Sequence, residues 1–272
     1  MPYQILGDVH THTLFSRHAY STIQENVRAA ADAGLEILGS TDHFSRMLFP
    51  DQCLKNFQFF SNIGIWPREW DGVTLLRGAE ADIEGLDGRL FGQGVPVTHN
   101  ITEQDLPREQ TLYERLSANF DYVIASVHRN DFADAATIVD TTQMYINALL
   151  EPRVMILGHT GRAGVPYDLD AVLECAKSQN KLIEINEHSI EIDAHDRFRP
   201  VCRRIAERCA ELGVGVTVDS DAHIAPAIGR FNTVEAMLEE IHFPEELIMN
   251  RGRAPFISQL KAAGVKDLTS LL

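Results

Sequence analysis

The sequence predicts an α/β fold of parallel strands, a sheet or a barrel, on three observations. Short apolar and β-branched runs alternate with stretches of helical period along the chain. Histidines and carboxylates fall where those runs end, and the loops that follow the strands of a barrel share one mouth there. The length of 272 residues lies within the range of one α/β barrel. A single domain over 1–272 is therefore the expectation.

Strands are expected at 5–9, 36–40, 73–77, 122–126, 154–157, 182–185 and 214–218, seven in all. Helices are expected between them at 22–33, 134–150, 169–179, 199–212 and 231–240. Ser21 or Thr22, with Gln24 or Glu25 three residues on, supplies a capping box at the first helix start. Gly34 and Gly213 follow the last periodic residue of two helices, where a left-handed C-cap favours glycine. Two segments break the alternation, 44–71, rich in aromatics, and a longer loop region around 85–110, rich in Gly, Pro and Thr. Long irregular connections in a compact domain are functional loops or surface insertions.

Composition narrows the function. Hydrophobic residues at 44% and charged residues at 23% exclude a disordered or collagenous chain. A formal charge of −15 argues against long nucleic acid, whose binding needs clustered Lys and Arg. It does not argue against a small phosphate, because bound cations would reverse the local field. Cys53, Cys175, Cys202 and Cys209 show no CxxC spacing, so reduced, buried cysteines are expected rather than a zinc ribbon or disulfides. From Met1 into Ile5-Leu6 there is no basic leader, and no apolar run reaches the roughly 18 residues of a spanning helix. The expectation is a cytoplasmic protein without a membrane partner.

The chemistry is carried by position. Asp8-Val9-His10-Thr11-His12 closes the first strand, Thr41-Asp42-His43 the second, and Glu80 lies just past the third. His128 and His159 follow the fourth and fifth, and Asp221 and His223 the seventh. Imidazoles and carboxylates without a nearby thiolate suit zinc, manganese or iron, and a carboxylate such as Glu80 can bridge two ions. A bridged pair activates water near neutral pH and stabilises an in-line displacement, which points to hydrolysis.

Asp8-x-His10-x-His12, His18, Thr41-Asp42-His43, Arg77-Gly78-x-Glu80, His128, His159 and Asp221-x-His223 together resemble the motif series of the polymerase and histidinol phosphatase (PHP) family. The strings His18-Ala19-Tyr20-Ser21-Thr22, Trp66-Pro67-Arg68 and Asp71-Gly72 resemble its small stand-alone phosphatase branch. The resemblance spans roughly 8–244. It implies a distorted, seven-stranded, TIM-like β/α barrel holding three divalent ions, zinc first, with manganese or iron as alternatives. One ion would be held by His10, His12, Glu80 and Asp221, a second by Glu80, His128 and His159, and a third by His18, His43 and His223. Where many relatives have Pro after the His159-type ligand, this chain has Thr160-Gly161; Arg129 and the long stretch from Glu80 to His128 are further departures.

Asp8 and Asp42 are expected to orient ligand imidazoles. Arg17, Arg129 and Arg162 are candidate phosphate clamps, because guanidinium matches phosphate geometry, although a solvated surface charge is the bland alternative for each. His188 either faces the mouth or is structural, and His99, His195 and His242 read as surface or loop residues. Phe57, Phe59, Phe60, Trp66 and Trp70 read as core packing before a stacking platform. The function implied is a phosphoesterase acting on a small phosphorylated substrate through a metal-bound hydroxide, with Glu80 and Asp221 catalytic. An exonuclease or phosphodiesterase on short oligonucleotides and a non-catalytic metal-stabilised binding module stay open. The oligomeric state is not legible.

Overall fold

The computed structural model of the protein describes residues 3–272. In chain order its strands are β1 (Gly7–Thr11), β2 (Ile37–Ser40), β3 (His43–Phe44), β4 (Glu69–Trp70), β5 (Val73–Asp82), β6 (Pro96–His99), β7 (Asp105–Thr111), β8 (Tyr122–Ser126), β9 (Val154–Leu157), β10 (Leu182–Asn186) and β11 (Val216–Asp219). Its α-helices are α1 (Ile23–Asp32), α2 (Leu112–Ser117), α3 (Ile138–Leu150), α4 (Leu169–Ser178), α5 (Glu187–Glu191), α6 (Arg199–Leu212), α7 (Asn232–Glu240) and α8 (Arg253–Ala262). Seven parallel strands run in the order β1-β2-β5-β8-β9-β10-β11. Thr11 bridges Ala222 just past β11, so the sheet curls into a nearly closed α/β barrel. Among the described residues no helix is long and apolar enough to cross a membrane.

The seven expected strands are the seven of the barrel, but the count omitted β3, β4 and the antiparallel β6–β7 hairpin. The region around 85–110 is therefore partly this hairpin rather than a loop throughout. β5 continues to Asp82, which places Glu80 inside the strand rather than past it. The reason is pairing: Gly78 through Asp82 match Tyr122 through Ser126 of β8 residue for residue, although the run is no longer purely apolar. β1 ends at Thr11, two residues later than expected, and carries a register irregularity between Asp8 and Thr11 where it pairs with β2. Bulges of this kind re-aim side chains beside functional sites. Thr22 and Glu25 form the α1 capping box, and Gly213 caps α6 at φ 67°. Cys202 and Cys209 are buried, whereas Cys53 is exposed and Cys175 half-buried, correcting that expectation; Cys53 sits on the exterior loop before the residues that pack inward.

Apolar strands buried on both faces divide the core into an interior and an outer shell. Val9, Leu76, Tyr122, Ile124, Ile156 and Leu182 pack with Phe256, Ile257 and Leu260 of α8, away from the histidine-bearing strand ends. Tyr122 crosses to donate its hydroxyl proton to the Val9 carbonyl at 2.5 Å. Gly39 makes that crossing possible, since a Cβ there would lie 2.0 Å from the tyrosine oxygen. Outside, Phe44, Phe57, Phe60, Phe91 and Phe120 interlock largely edge-to-face, so Phe57 and Phe60 are core as expected.

Candidate metal centre

Glu80 is the hub of the barrel mouth. It projects from β5 near the strand's C-terminal end and is wholly buried. Its Oε2 lies 3.4 Å from His10 Nε2, 3.6 Å from His12 Nε2 and 2.7 Å from His43 Nδ1. Its Oε1 lies 2.7 Å from His159 Nε2 and 3.4 Å from His128 Nε2. One carboxylate thus faces two separate sets of imidazoles. Asp221 Oδ1 completes the first set, 3.1 Å from His12 Nε2 and 3.6 Å from His10 Nε2. His18 Nε2 meets His43 Nε2 at 3.2 Å and His223 Nε2 at 3.1 Å, a third convergence at the rim.

Most of these atoms are close without being satisfied. Nε2 of His10, His12 and His128, Nδ1 of His43, Oε2 of Glu80 and Oδ1 of Asp221 are buried and have no hydrogen-bond partner. Buried polar groups are otherwise almost always paired, because leaving one unpaired costs its full desolvation. Six orphaned lone-pair atoms converging on one space could serve a divalent cation as ligands, and nitrogen and carboxylate oxygen suit zinc, manganese or iron. Three trios have ligand atoms within 4.8 Å of one another: His10, His12 and Asp221; His43, Glu80 and His128; His12, His43 and His223. The first agrees with the partition the resemblance implies, whereas His12 and His43 are shared across groups it keeps apart.

The opposite ring nitrogens are held. His10 Nδ1 meets Glu184 Oε1 at 2.6 Å, His12 Nδ1 meets Ser16 Oγ at 2.9 Å, and His128 Nδ1 meets Asp82 Oδ1 at 2.7 Å. Such partners fix the tautomer and aim Nε2 at the shared space. Glu184 also accepts the His159 backbone N–H at 2.7 Å. Glu184, Asp82 and Ser16 escaped the sequence reading. The signal for Glu184 was present: an acid flanked by Ile183 and Ile185 in a buried strand. Asp42 acts at one remove, accepting from Ser16 Oγ and from Thr13. Asp8 does not orient an imidazole; it accepts from Ser220 and the Gly229 N–H and fixes the loop after β11, because its side chain faces that loop.

Charge is arranged to keep the carboxylates ionised. Burial opposes ionisation of Glu80, but His128, His10 and His43 hold its pKa well below the ordinary value. Asp221 is likewise lowered against burial by His10, His12 and Arg162. Burial, then His43 and His223, brings His18 down to about 4, while burial and His43 push His12 well below the ordinary imidazole value. Against burial, Glu184, Glu80 and Asp221 push His10 well above the ordinary imidazole value, and Glu80 and Asp82 push His128 up to about 9. A cation would therefore meet His12 and His18 already neutral and would displace the protons of His10 and His128. Two further signs of a built site are backbone: His159 at φ 26° and Asp221 at φ 54° occupy the left-handed region, a strain that clusters at functional sites.

Of the three arginines, Arg162 reaches the centre, donating from Nη2 to Asp221 Oδ2 at 2.8 Å. Arg129 is exposed and turns to Asp131 at 2.8 Å, since that carboxylate lies two residues away in the same loop. Arg17 lies over the Phe49 ring, 4.8 Å from its centroid, rather than on the cluster. His188, at the start of α5, stacks on His223 with centroids 6.0 Å apart, so it faces the mouth. His99, His195 and His242 are exposed.

A sequence profile described as the PHP domain matches residues 8–195. A probable phosphatase from Clostridium acetobutylicum is 38% identical over 259 residues, covering 95% of this chain and 96% of its own length. A probable phosphatase from Caldanaerobacter subterraneus is 38% identical over 250 residues, covering 92% and 89%. In fold, the chain is similar to the histidinol phosphate phosphatase of Lactococcus lactis, solved with zinc, L-histidinol and phosphate, with a TM-score of 0.51 at 17% identity over 88% of this chain and 95% of that one.

Proposed function

Since the chain belongs to the PHP domain family, we propose that it is a metal-dependent phosphoesterase that hydrolyses a small phosphorylated substrate at the mouth of its barrel. The observation that carries this reading is the convergence of orphaned histidine and carboxylate atoms on both oxygens of the buried Glu80. The curated relatives named probable phosphatases supply the reaction class.

In this reading His10, His12, Glu80 and Asp221 hold one divalent ion, Glu80, His128 and His159 a second, and His18, His43 and His223 a third. When bound, the ions supply Lewis acidity and an activated water for in-line attack at phosphorus. The chain's own contribution is placement. Glu80 keeps its negative charge between the two histidine sets, Glu184 and Asp82 hold the His10 and His128 rings in register, and Arg162, anchored on Asp221, binds a phosphoryl oxygen. Each is fixed before substrate arrives, which is what lowers a barrier of this kind.

A screen of phosphorylated metabolites against protein loaded with zinc, manganese or iron, read by phosphate release beside elemental analysis, tests the proposal. Turnover that disappears on chelation and in Glu80→Gln, with the fold retained by circular dichroism, is the expected result. Chelation-insensitive turnover, or wild-type rates in Glu80→Gln, would remove the centre from the reaction.

A further inference from the structure

Behind the loop that follows β9 lies a second cavity, which the cluster at the barrel mouth does not use. The loop has two faces. His159 and Arg162 turn toward the centre and reach Glu80 Oε1 and Asp221 Oδ2 at 2.7 and 2.8 Å. Thr160 and Gly161, between them in the chain, instead line an open pocket of about 450 Å³ against the start of α6. Gly161 lies directly on that helix, since a Cβ there would come within 2.6 Å of Cys202 Sγ. The loop therefore stands between pocket and centre.

The lining divides by chemistry. Val165, Pro166, Leu169, Phe198, Val201 and Ile205 supply an apolar floor, on which Val201 is left 43% exposed. Tyr167 donates its hydroxyl proton to Thr160 Oγ1 at 3.0 Å, so the hydroxyls on the loop side are paired with one another. Arg197 and Arg204 add positive charge to the edge. Their carboxylate partners are missing or distant. Along α6, Arg199 pairs with Glu240 at 2.7 Å, Arg203 with Glu207 at 2.9 Å and Arg208 with Asp170 at 2.7 Å, whereas Arg204 pairs with no carboxylate among the described residues. Asp170, whose ionisation Arg204 favours, is already bound twice by Arg208. Arg197 stands 3.8 Å from Asp193, beyond hydrogen-bonding reach, with its guanidinium over the Phe198 ring.

We infer that this pocket binds a medium-chain alkyl carboxylate, its chain laid on the apolar floor and its head group on Arg197 and Arg204. The guanidinium fork matches a carboxylate, and the volume lies in the range of small-molecule sites. Each CH₂ group taken from water onto the floor adds affinity, which a short acid cannot gain. Because the loop intervenes, the occupant is a ligand separate from whatever the centre binds.

Calorimetric titration of metal-loaded protein with octanoate, octanol and butyrate reads head group and chain separately. Octanoate should bind one per chain and about tenfold tighter than octanol, in keeping with a charge-assisted contact at a partly exposed site. Over butyrate the preference should approach about a hundredfold, as for four CH₂ groups removed from water. In the double variant Arg197→Gln/Arg204→Gln octanoate should fall to the level of octanol, and in Val201→Asp its binding should be lost with helix content retained by circular dichroism. Carboxylates also ligate metal ions, so the titration is repeated after chelation and in excess inorganic phosphate, and the affinity should hold in both. Binding that vanishes on chelation or is displaced by phosphate puts the carboxylate on the ions and overturns the inference. So does a failure of octanoate to bind, an affinity equal to that of octanol, or one unchanged by the double variant. Sedimentation velocity covers the other occupant: a wild-type dimer that dissociates in Val201→Asp would make this face an interface between copies, which also overturns it.

Discussion

At the residue scale, the centre separates histidines by what their second nitrogen does. His10, His12 and His128 are each fixed by Glu184, Ser16 or Asp82, whereas His18 is exposed and meets only other imidazoles, His43 and His223. An ion held by the rim trio should therefore be the one lost most easily. His18→Ala should lower bound metal from about three to about two per chain, since two imidazoles bind far more weakly than three. Turnover should fall on the order of ten- to a thousand-fold, as for removal of one electrophilic contact to a developing phosphate charge. Elemental analysis of both proteins beside steady-state kinetics checks this, and equal metal content would make His18 a bystander. The ligand types were legible in the sequence because each lies where an apolar run ends. Glu184 was not read, although its neighbours Ile183 and Ile185 marked a buried strand, because strand alternation alone does not tell a buried acid from an outward one.

At the scale of elements, the barrel is held at its centre by a contact between three strands: Tyr122 of β8 bonds the Val9 carbonyl of β1 across Gly39 of β2. Gly39→Ala forces a methyl group into the tyrosine oxygen and should cost about 1–3 kcal/mol, the range for overpacking a core. Tyr122→Phe removes that oxygen, so the double variant should recover part of the loss. Denaturant unfolding of the four proteins of the cycle measures the coupling; strictly additive losses would show that the contact is not what excludes a side chain at 39. A second tie joins α4 and β10 to the α3–β9 connection, where Lys181 donates to the Val154 and Glu151 carbonyls. Burial lowers this ammonium from 10.5 to about 8. Between those values the unfolded chain binds a proton that the folded chain lacks, so the residue's contribution to stability rises with pH, by about 1.4 kcal/mol per unit. Stability of wild type relative to Lys181→Met should shift toward wild type from pH 8 to pH 10, and parallel profiles would sink the idea. The apolar strands, such as Val154–Leu157, were legible at their full length. The outer half of β5 was not, because Gly78, Glu80 and Asp82 interrupt the apolar run exactly where function intrudes on folding. Helix α8 was hidden by Pro255, which is tolerated only because it falls in the first turn.

For the whole molecule, the consequence of the centre is that it joins segments far apart in sequence. His10 and His12 belong to the end of β1, Glu80 to β5, and His128, His159 and Asp221 to the loops after β8, β9 and β11, with His18, His43 and His223 around them. Buried polar atoms at these strand ends face one another without hydrogen-bond partners. Ions bound there would satisfy those atoms and fasten the mouth around much of the barrel's circumference. They bind the folded chain, whose ligands converge, far better than the unfolded chain, whose ligands do not, so they stabilise folding by mass action. At free metal about a thousandfold above the dissociation constant the gain is about 4 kcal/mol. At roughly 2–4 °C per kcal/mol for a chain of this size, Tm should rise by roughly 10 °C on loading and fall back on chelation. The rise should shrink in Glu80→Gln, whose amide cannot hold two cations close, while the metal-free melting temperatures of the two proteins stay near one another because the amide preserves shape. Differential scanning calorimetry of loaded and chelated forms of both proteins decides it. A metal-independent Tm in wild type would mean that the ions sit on a mouth already rigid without them, and an equal rise in Glu80→Gln would place the stabilising ion elsewhere than on Glu80.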